Sequence, residues 1–429
     1  MLKYHNFSLG LVWLIILFII PLPFIQTLST GLPIIYISES QAIYCGAIAY
    51  SWMLSAIYLA TKPKWLDRLI GLPDIFMIHG IISIAAIILA YFHEFGTTSQ
   101  GWIKSTGSWA LYLLTGIMIY SLIFMAGWLT NRIPILLTIK HVLEKLFKHE
   151  FSVWLHRINI IATVLVFIHV ELINYIIAIK PFMFWFYIYS GVTLATYILQ
   201  KINNRVNYIR GNLAKNISIA QNIQELTIIL DQHQNWDVRI GDYVFIAFPE
   251  IKGLKEYHPF SIVNIPVSSE KIVLAIRGDG DFTKLLSNVK VGSKIKLDGG
   301  FGRYQPYLKS QSPRARIVIL AGGIGVTPLL SIVDKLKSRN IIMFYSAHRS
   351  ENLIYIEKLI ALKEREHFSL HYQIGRYKAF EIVRKLPKNW QQNTLFLISG
   401  PSPMIYYWKK ALKIYGIKNG QIYAEQFIW

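Results

Sequence analysis

The sequence contains almost no cysteine. One cysteine, Cys45, occurs among 429 residues, and it lies inside an apolar run. A single thiol excludes an internal disulfide, a zinc or iron–sulfur site built from cysteines, and covalent haem attachment through a C-x-x-C-H motif. Any metal group in this chain therefore needs other ligands, of which histidine and methionine are the soft or borderline candidates.

Acidic residues are also few. There are 24 Asp and Glu against 44 Lys and Arg, which gives a formal net charge of +20. Nucleic-acid binding is the function that such a charge suggests first. However, the basic residues of the first half lie in short segments between apolar runs, where positive charge fixes membrane orientation. Those of the second half are dispersed. The sequence therefore predicts a lipid bilayer as the partner and no nucleic acid.

Six apolar stretches have about the ~20 residues that a helix needs to cross the hydrocarbon layer of a membrane. The first begins after a basic N-terminal start and is followed by no small-residue cleavage site, so we interpret it as a retained span. The stretches lie near 8–27, 40–60, 73–93, 108–130, 152–178 and 182–200.

The connecting segments alternate in charge, because the segments after the second, fourth and sixth stretches are basic. The positive-inside rule then places both termini, and the whole chain after about residue 205, in the cytoplasm of a multi-pass cell-membrane protein. The basic residues are Lys62, Lys64 and Arg68, then Arg132, Lys140, Lys145 and Lys148, then Lys201, Arg205 and Arg210.

The pattern changes twice along the second half. From about Ile217, short β-like runs broken by turn residues predict a small antiparallel barrel. From about Arg316, strand-like runs alternate with helical ones, which indicates a parallel α/β sheet. We therefore predict a multi-domain chain with a transmembrane helical domain at 1–205, a barrel domain at 206–311 and an α/β domain at 312–429.

Four histidines lie in the predicted spans, and a residue of that polarity in a bilayer is a functional candidate. His79 and His93 are fourteen residues apart on the third span, and His156 and His169 are thirteen apart on the fifth. At 1.5 Å per residue each pair covers ~20 Å along the helix axis. Since both spans run outwards, His79 meets His156 at the cytoplasmic level and His93 meets His169 at the outer level. Two bis-histidine haems stacked across the membrane follow from this.

Histidines that only form interhelical hydrogen bonds are the alternative, and matched depth on two parallel helices argues against it. One geometric difficulty concerns the fifth span. Fourteen residues return to within ~40° of the same helix face, whereas thirteen leave a mismatch of ~140°. Tilt, local tightening and imidazole rotation must absorb it. His141 and His149 are spare candidates in the basic segment.

Two motifs in the barrel region suit a flavin. In His258-Pro259-Phe260-Ser261, an aromatic ring can lie against an isoalloxazine ring and a hydroxyl can hydrogen-bond its N5 edge. Further on, Arg277 and Gly280-Asp281-Phe282-Thr283 offer a cation, a glycine turn and a hydroxyl suited to a pyrophosphate. Each motif alone also fits a plain turn, but the two in this order are a stronger signal.

The α/β region carries features typical of a nucleotide site. The turn Gly322-Gly323-Ile324-Gly325-Val326-Thr327-Pro328 joins a strand to a helix, where a diphosphate can approach the backbone. Ser399-Gly400-Pro401 ends the last strand, at the edge where ligands of open α/β sheets bind. Arg349 can hold a ribose 2′-phosphate, which favours NADPH over NADH, or it is a solvated surface arginine. Near the C-terminus, Phe427 can cover the flavin, or it packs in the core.

The order of these motifs resembles the NADPH oxidase and ferric reductase superfamily, and it is similar to the compact prokaryotic NADPH oxidases. The resemblance implies a six-helix haem domain followed by a ferredoxin-reductase-like unit, which consists of a β-barrel for FAD and an α/β domain for the nucleotide. Ile428 and Trp429 extend past the usual terminal aromatic, so Trp429 is an alternative to Phe427 as the flavin-stacking residue. The residues that the resemblance assigns are His79, His93, His156 and His169 to haem; His258, Phe260, Ser261 and Thr283 to FAD; and Gly323, Gly325, Thr327 and Pro328 to the nucleotide.

The sequence thus predicts an oxidoreductase that moves electrons from cytosolic NADPH or NADH, through FAD and two b-type haems, to an acceptor on the outer face. Phe427, Thr327 and Ser399 are assigned to the catalytic step. Oxygen, giving superoxide, is favoured over a ferric chelate because the outer loops contain no metal-binding cluster. A haem-free membrane receptor with a nucleotide-sensing module is the alternative from another class. No obligatory protein partner is evident.

Overall fold

We describe the protein from a computed structural model, and the description covers residues 7–124, 154–206, 209–231, 236–264 and 271–425. Within them, six helical segments are long and apolar enough to cross a membrane, which confirms the six predicted spans. The fourth begins seven residues earlier than predicted. In chain order the first to sixth spans are Ser8–Gly31, Ile34–Ala60, Leu72–Gly96, Gly101–Ile123, Trp154–Glu171 and Lys180–Ile202.

The first span is irregular near its middle. It consists of a helix at Ser8–Leu14, a π-helical turn at Ile15–Ile19 and a second helix at Leu22–Gly31. Pro21 and Pro23 follow the π turn; proline lacks a backbone N–H and so interrupts the hydrogen-bond ladder. The Trp52 indole of the second span donates to the Ile16 carbonyl at 3.1 Å. A neighbouring helix thereby satisfies a backbone group that the membrane interior cannot.

The barrel domain is a six-stranded antiparallel sheet. Its strand order is β4-β3-β6-β1-β2-β5, and an antiparallel bridge between Ile262, just after β4, and Leu274 of β5 joins the two edges. The predicted antiparallel barrel is therefore confirmed. The strands are β1 Ile209–Ala220, β2 Ile223–Leu230, β3 Tyr243–Ala247, β4 His258–Ser261, β5 Lys271–Arg277 and β6 Lys294–Phe301.

The α/β domain is built on a five-stranded parallel sheet with the order β11-β10-β7-β8-β9, as predicted. Its central strands are buried apolar runs, which is typical of a sheet covered on both faces. The strands are β7 Arg316–Gly322, β8 Ile341–Ala347, β9 Phe368–Ile374, β10 Thr394–Ser399 and β11 Ile422–Ala424. The domain limits at 205/206 and 311/312 remain predictions.

The regular helices include short ones outside the spans. The helix at Lys64–Ile70 connects the second and third spans and is central to the site described below. The remaining helices are Ser40–Ala60, Leu72–Gly96, Gly101–Phe124, Asn159–Glu171, Asn174–Ile177 and Lys180–Val206 in the spans and their links, and Asp281–Leu285, Tyr304–Ser310, Thr327–Lys335, Ile356–Ala361, Ala379–Val383 and Ser402–Ile414 beyond them.

The three domains share hydrophobic cores. One buried cluster joins residues of the first three spans to Tyr243, Phe245 and Phe301 of the barrel. Another joins the barrel residues Ile223 and Ala275 to the core of the parallel sheet. Burial of apolar surface across both boundaries stabilises one arrangement of the domains.

Candidate functional site

The four span histidines form two pairs. The ring centroids of His79 and His156 are 5.9 Å apart, and those of His93 and His169 are 6.1 Å apart. An imidazole nitrogen binds a metal at ~2.0 Å and lies ~1.1 Å from its own ring centroid, so two axial rings on one ion have centroids ~6.2 Å apart. Both pairs therefore have the separation that a single metal ion between them requires. The structure brings together the residues that the sequence paired.

Each histidine also has a hydrogen bond at its Nδ1 atom. His79 bonds the Ala56 carbonyl at 2.9 Å, His93 the Ala42 carbonyl at 3.0 Å, and His169 the Ile103 carbonyl at 2.8 Å. A carbonyl only accepts, so these three Nδ1 atoms carry the proton and Nε2 is left as the free lone pair. His156 Nδ1 is 2.9 Å from the Ser121 hydroxyl, which can accept in the same way. Histidines that bind metals usually have such a second partner.

A tightened turn at the start of the fifth span absorbs part of the mismatch that the thirteen-residue spacing creates. Arg157 N–H donates to the Trp154 carbonyl and Ile158 N–H to the Leu155 carbonyl, both three residues back, before the regular helix begins at Asn159. Each residue of a 3₁₀ turn advances ~120° instead of ~100°. The turn therefore rotates His156 by ~40–60° towards the helix face of His169, which removes part of the ~140° mismatch.

Gly46 of the second span allows the close approach of His93. A Cβ atom at position 46 would lie 2.8 Å from Nδ1 and 2.9 Å from Cγ of the His93 ring. The ring cannot retreat without losing its bond to Ala42, one helical turn before Gly46 on the same helix. The sequence interpretation missed this residue, although a glycine in a transmembrane helix is a signal of close packing.

We expect Gly46→Ala to displace the His93 ring and weaken the outer pair as a metal site. Loss of a second-shell partner alone typically lowers metal affinity ~10–100-fold, so the purified variant should have less haem than the parent. Pyridine haemochrome analysis measures this. Gly116→Ala in the fourth span is the control, because nothing lies within 4 Å of a Cβ at that position. Equal haem content in both variants would contradict the role of Gly46.

The two flavin motifs lie against each other in the barrel. The ring centroids of His258 and Phe282 are 4.1 Å apart, and those of Phe260 and Phe282 are 6.0 Å apart. The Thr283 hydroxyl accepts from Gly280 N–H at 2.9 Å. Pro259 and Ser261 pair along the strand with Phe245 and Tyr243 of β3. The strand carrying the first motif is thus hydrogen-bonded to the strand that contacts the membrane domain. The Arg277 guanidinium, which is half exposed, is 2.5 Å from Asp279.

The nucleotide motifs meet at the carboxyl edge of the parallel sheet, where β7 and β10 are neighbours. A Cβ atom at Gly325 would lie 2.6 Å from the Gly400 backbone and from the Ser399 carbonyl, so only glycine permits this contact. Gly323 has a positive φ of 52°. Gly322 ends β7, and Pro328 and Pro401 flank the starts of the two following helices.

The polar nucleotide candidates differ in exposure. Thr327 and Ser399 are buried, and the Thr327 hydroxyl donates to the Ile324 carbonyl at 3.0 Å. Arg349 follows β8, is 70% exposed in its side chain, and lies 3.4 Å from Glu351. Phe427 and its alternative Trp429 lie outside the described residues, as do His141 and His149. The roles of all these residues remain predictions.

The structure adds a contact that the sequence did not predict. Arg68 of the short helix Lys64–Ile70 forms a bidentate (two-pronged) ion pair with Asp242 of the barrel, with N–O distances of 2.7 and 2.8 Å. The same guanidinium donates to the carbonyls of Gly302 and Gly300 at 2.6 and 2.9 Å. Arg68 served in the sequence only as a marker of membrane orientation.

Further contacts secure the same boundary between the membrane domain and the barrel. Lys64 donates to the Gly299 carbonyl at 2.7 Å. Lys62 lies 3.3 Å from Asp298, and its ammonium is 4.0 Å from the centroid of the Phe245 ring. A buried or partly buried cation near an aromatic face is stabilised by the ring quadrupole. The short helix and the residues just before it thus clamp the barrel to the adjoining ends of the spans.

Comparison with known proteins supports the dehydrogenase half in particular. A family model described as an FAD-binding domain matches residues 211–325, and it confirms the predicted FAD domain. The chain is 28% identical over 204 residues to the electron transfer subunit of dihydroorotate dehydrogenase B (NAD(+)) from Bacillus pumilus, a match that covers 47% of this chain and 76% of that protein.

Two further relatives confirm the resemblance to the NADPH oxidase and ferric reductase superfamily. Dual oxidase 2 of Rattus norvegicus is 25% identical over 334 residues, which is 68% of this chain and 21% of that protein. NADPH oxidase 1 of Mus musculus is 28% identical over 176 residues, which is 39% of this chain and 27% of that protein. This chain thus corresponds to a small part of each of those two proteins.

Proposed function

We propose that this chain, a membrane-associated NAD(P)H-dependent flavin oxidoreductase of the NADPH oxidase and ferric reductase kind, passes electrons through two b-type haems to an acceptor on the outer face, namely oxygen. The observation that carries the proposal is the geometry of the two histidine pairs. Each pair has the ring separation of a bis-imidazole iron site, and three of the four rings present a free Nε2 atom.

The haems would be held by His79 with His156 and by His93 with His169. Haem iron in such sites supplies one-electron transfer. The chain contributes the ring orientation, through the carbonyls of Ala56, Ala42 and Ile103, and a span that keeps the two pairs ~20 Å apart across the membrane. With an inside-negative potential, exporting each electron is favoured by ~2.3 kcal/mol per 100 mV.

FAD, when bound, converts a two-electron hydride into single electrons. The residues that would hold it are His258, Phe260 and Ser261 on β4 and Thr283 near Phe282, since the structure places these two motifs in contact. The turn from Gly322 to Pro328 and the loop Ser399–Pro401 would hold the nucleotide at the sheet edge. Orientation with the dehydrogenase half in the cytoplasm follows the basic segments, and the clamp helix Lys64–Ile70 lies in one of them.

Oxygen is the proposed acceptor because it needs no dedicated binding site. If each histidine pair held one haem iron through both rings, the haem would supply single electrons to oxygen and the iron would need no further ligand. The described residues contain no group of three or more His, Cys, Asp or Glu side chains that could hold a metal ion. The product of one-electron transfer to oxygen is superoxide.

One feature favours ferric-chelate reduction as a second candidate. A cavity of about 560 Å³ lies between the end of the first span and the link from the fifth to the sixth span, and its lining includes Thr27, Tyr175 and Lys180. Pockets of ~300–1,000 Å³ accept small molecules. The Lys180 ammonium would attract an anionic chelate. Superoxide-dismutase-sensitive reduction of a dye, measured beside reduction of ferric citrate, separates the two acceptors.

The decisive test is the absorption spectrum of the detergent-purified protein before and after anaerobic addition of NADPH. We expect reduced b-type haem bands, equivalent to about two haems per chain, to rise as the flavin bleaches. Flavin without haem would overturn the electron path and leave only the cytosolic half of the proposal. The same outcome would revive the alternative of a haem-free receptor with a nucleotide-sensing module.

A further inference from the structure

Three buried carboxyl groups, one from each domain, converge on Gly302. Asp67 belongs to the membrane domain, Asp242 to the barrel and Glu425 to the α/β domain, and their exposures are 1%, 0% and 9%. The Gly302 N–H donates to Asp67 Oδ2 at 3.1 Å. A Cβ atom at position 302 would lie 3.2 Å from Asp242 Oδ1 and 3.4 Å from Glu425 Oε1. We call Asp67, Asp242 and Glu425 the carboxyl junction.

Two guanidinium groups face the three carboxyl groups. Arg68 forms the two-pronged pair with Asp242, and Arg303 interacts electrostatically with Asp67. Two cations balance two carboxylates, so one carboxyl group is left over. Burying an unpaired charge costs free energy. A proton on the third carboxyl group removes that charge.

Glu425 is the carboxyl group that best fits a bound proton. Its Oε1 atom accepts from the Arg303 N–H at 2.5 Å and from the Tyr423 hydroxyl at 2.7 Å. Its Oε2 atom is buried and has no hydrogen-bond partner among the residues that the structure describes. Asp242 instead accepts both prongs of a guanidinium, which is the geometry of an ionised carboxylate.

The pKa values agree with this assignment. Burial raises the pKa of Glu425 to about 8. Hydrogen bonds from the Arg303 N–H and the Tyr423 hydroxyl partly oppose this increase. Burial raises the pKa of Asp242 to about 7, and the bonds from Arg68 oppose it. The hydrogen bonds decide between the two groups, because both Asp242 oxygens accept from Arg68 whereas Glu425 Oε2 accepts from no described residue. The other titratable or charged groups that face Glu425 are Asp67, Arg68, Asp242, Tyr243, Arg303, Tyr304 and Tyr423.

We propose that Glu425 is a positioning residue whose single titrating proton sets how firmly the C-terminal strand β11 holds the three domains in register for flavin-to-haem electron transfer. The proposal rests on the proposed electron path for its functional readout. When the proton leaves, the junction has three carboxylates against two guanidinium groups, and the repulsion acts where all three domains meet. β11 extends directly into Glu425, so the strand takes up the displacement.

The direction of the pH dependence follows from the raised pKa. In the closed junction Glu425 is buried and binds a proton. In an open junction Glu425 would be exposed and would release the proton, because the pKa of an exposed glutamate has its ordinary value of 4.5. The stabilisation from this proton is complete below that value and is lost as pH rises through about 8. Between the ordinary value of 4.5 and about pH 8, the closed form should therefore give way progressively to a looser one.

Two measurements on the full-length protein test the proposal over this range. The first is hydrogen exchange of the peptide that ends in Glu425, corrected for the intrinsic pH dependence of exchange. The second is the rate of haem reduction after rapid anaerobic mixing with NADPH, compared with the rate of flavin bleaching. In the parent protein, protection and haem reduction should fall together as pH rises from 4.5 and should level off above about pH 8, while flavin bleaching should not follow this change.

Glu425→Gln should remove the pH dependence and keep protection at its low-pH level throughout, because the amide is neutral like the protonated acid. Tyr423→Phe should instead raise the pH at which the fall levels off by ~0.5–1 pH unit, since the lost hydroxyl stabilises the carboxylate. Flat exchange in the parent protein, or the same pH profile in both variants as in the parent, would overturn the proposal. If the electron path itself were wrong, the haem signal would be absent and the exchange measurement would still respond to Glu425.

Discussion

Replacing His93 by alanine should remove one haem from each chain and stop electron delivery to the outer acceptor. The replacement leaves His169 with no partner ring across the 6.1 Å gap. Loss of a second-shell partner lowers metal affinity ~10–100-fold, and loss of a ligand should exceed that. We therefore expect haem content to fall by half and acceptor reduction to fall by more than ~100-fold. Haemochrome analysis and a superoxide assay measure the two quantities.

Flavin content and anaerobic flavin bleaching by NADPH should be unchanged in His93→Ala, because the barrel and the parallel sheet lie at the opposite end of the span. His367→Ala is the matched control, since this histidine lies in the α/β domain with 46% of its side chain exposed. A His93→Ala protein with two haems and normal acceptor reduction would refute the assignment of the outer pair.

Replacing Arg68 by alanine should have the largest effect on the assembly of the domains. The Arg68 side chain is 15% exposed and that of Asp242 is fully buried. Removing one partner of a buried ion pair typically costs ~3–5 kcal/mol, because the remaining charge has no compensation. We expect a lower unfolding temperature and slower haem reduction by flavin, while flavin reduction by NADPH continues.

Two further variants separate the charge effect from a general loss of packing. Arg239→Ala removes a more exposed pair, in which Arg239 and Asp237 are 34% and 67% exposed, so it should cost less than ~1 kcal/mol. Arg68→Met combined with Asp242→Leu should restore much of the stability, since buried pairs can be replaced by apolar residues. Equal destabilisation by Arg68→Ala and Arg239→Ala would show that the clamp carries little of the domain assembly.

The sequence was sufficient for features that repeat along the chain or follow a local pattern. The length of the apolar stretches predicts the six spans. Short β-like runs broken by turns predict the barrel, and the alternation of strand-like and helical runs predicts the parallel sheet. The histidine pairs were predictable because depth in a membrane is proportional to residue number along a helix. Residue spacing alone therefore pairs His79 with His156 and His93 with His169.

The carboxyl junction could not be predicted in the same way. Asp67, Asp242 and Glu425 are separated by well over a hundred residues each. Glu425 belongs to the C-terminal E-x-F pattern of the family resemblance, but no local pattern distinguishes Asp67 and Asp242 from surface carboxylates. Arg68 fits the pattern of basic residues that set membrane orientation, so the sequence does not indicate that it has a partner in the barrel. Gly46 is a different case, because an isolated glycine in an apolar helix is a visible signal of close packing.

The shared cores and the clamp helix Lys64–Ile70 restrict how this protein can turn over. Many electron-transfer systems use a carrier module that swings between donor and acceptor. Here the strand that carries the flavin motif is hydrogen-bonded to β3, and the side chains of β3 are packed into the ends of the spans. A rotation of the barrel would have to break a buried ion pair and expose Tyr243, Phe245 and Phe301. If electrons pass from flavin to haem as proposed, they must tunnel over a distance that this packing fixes.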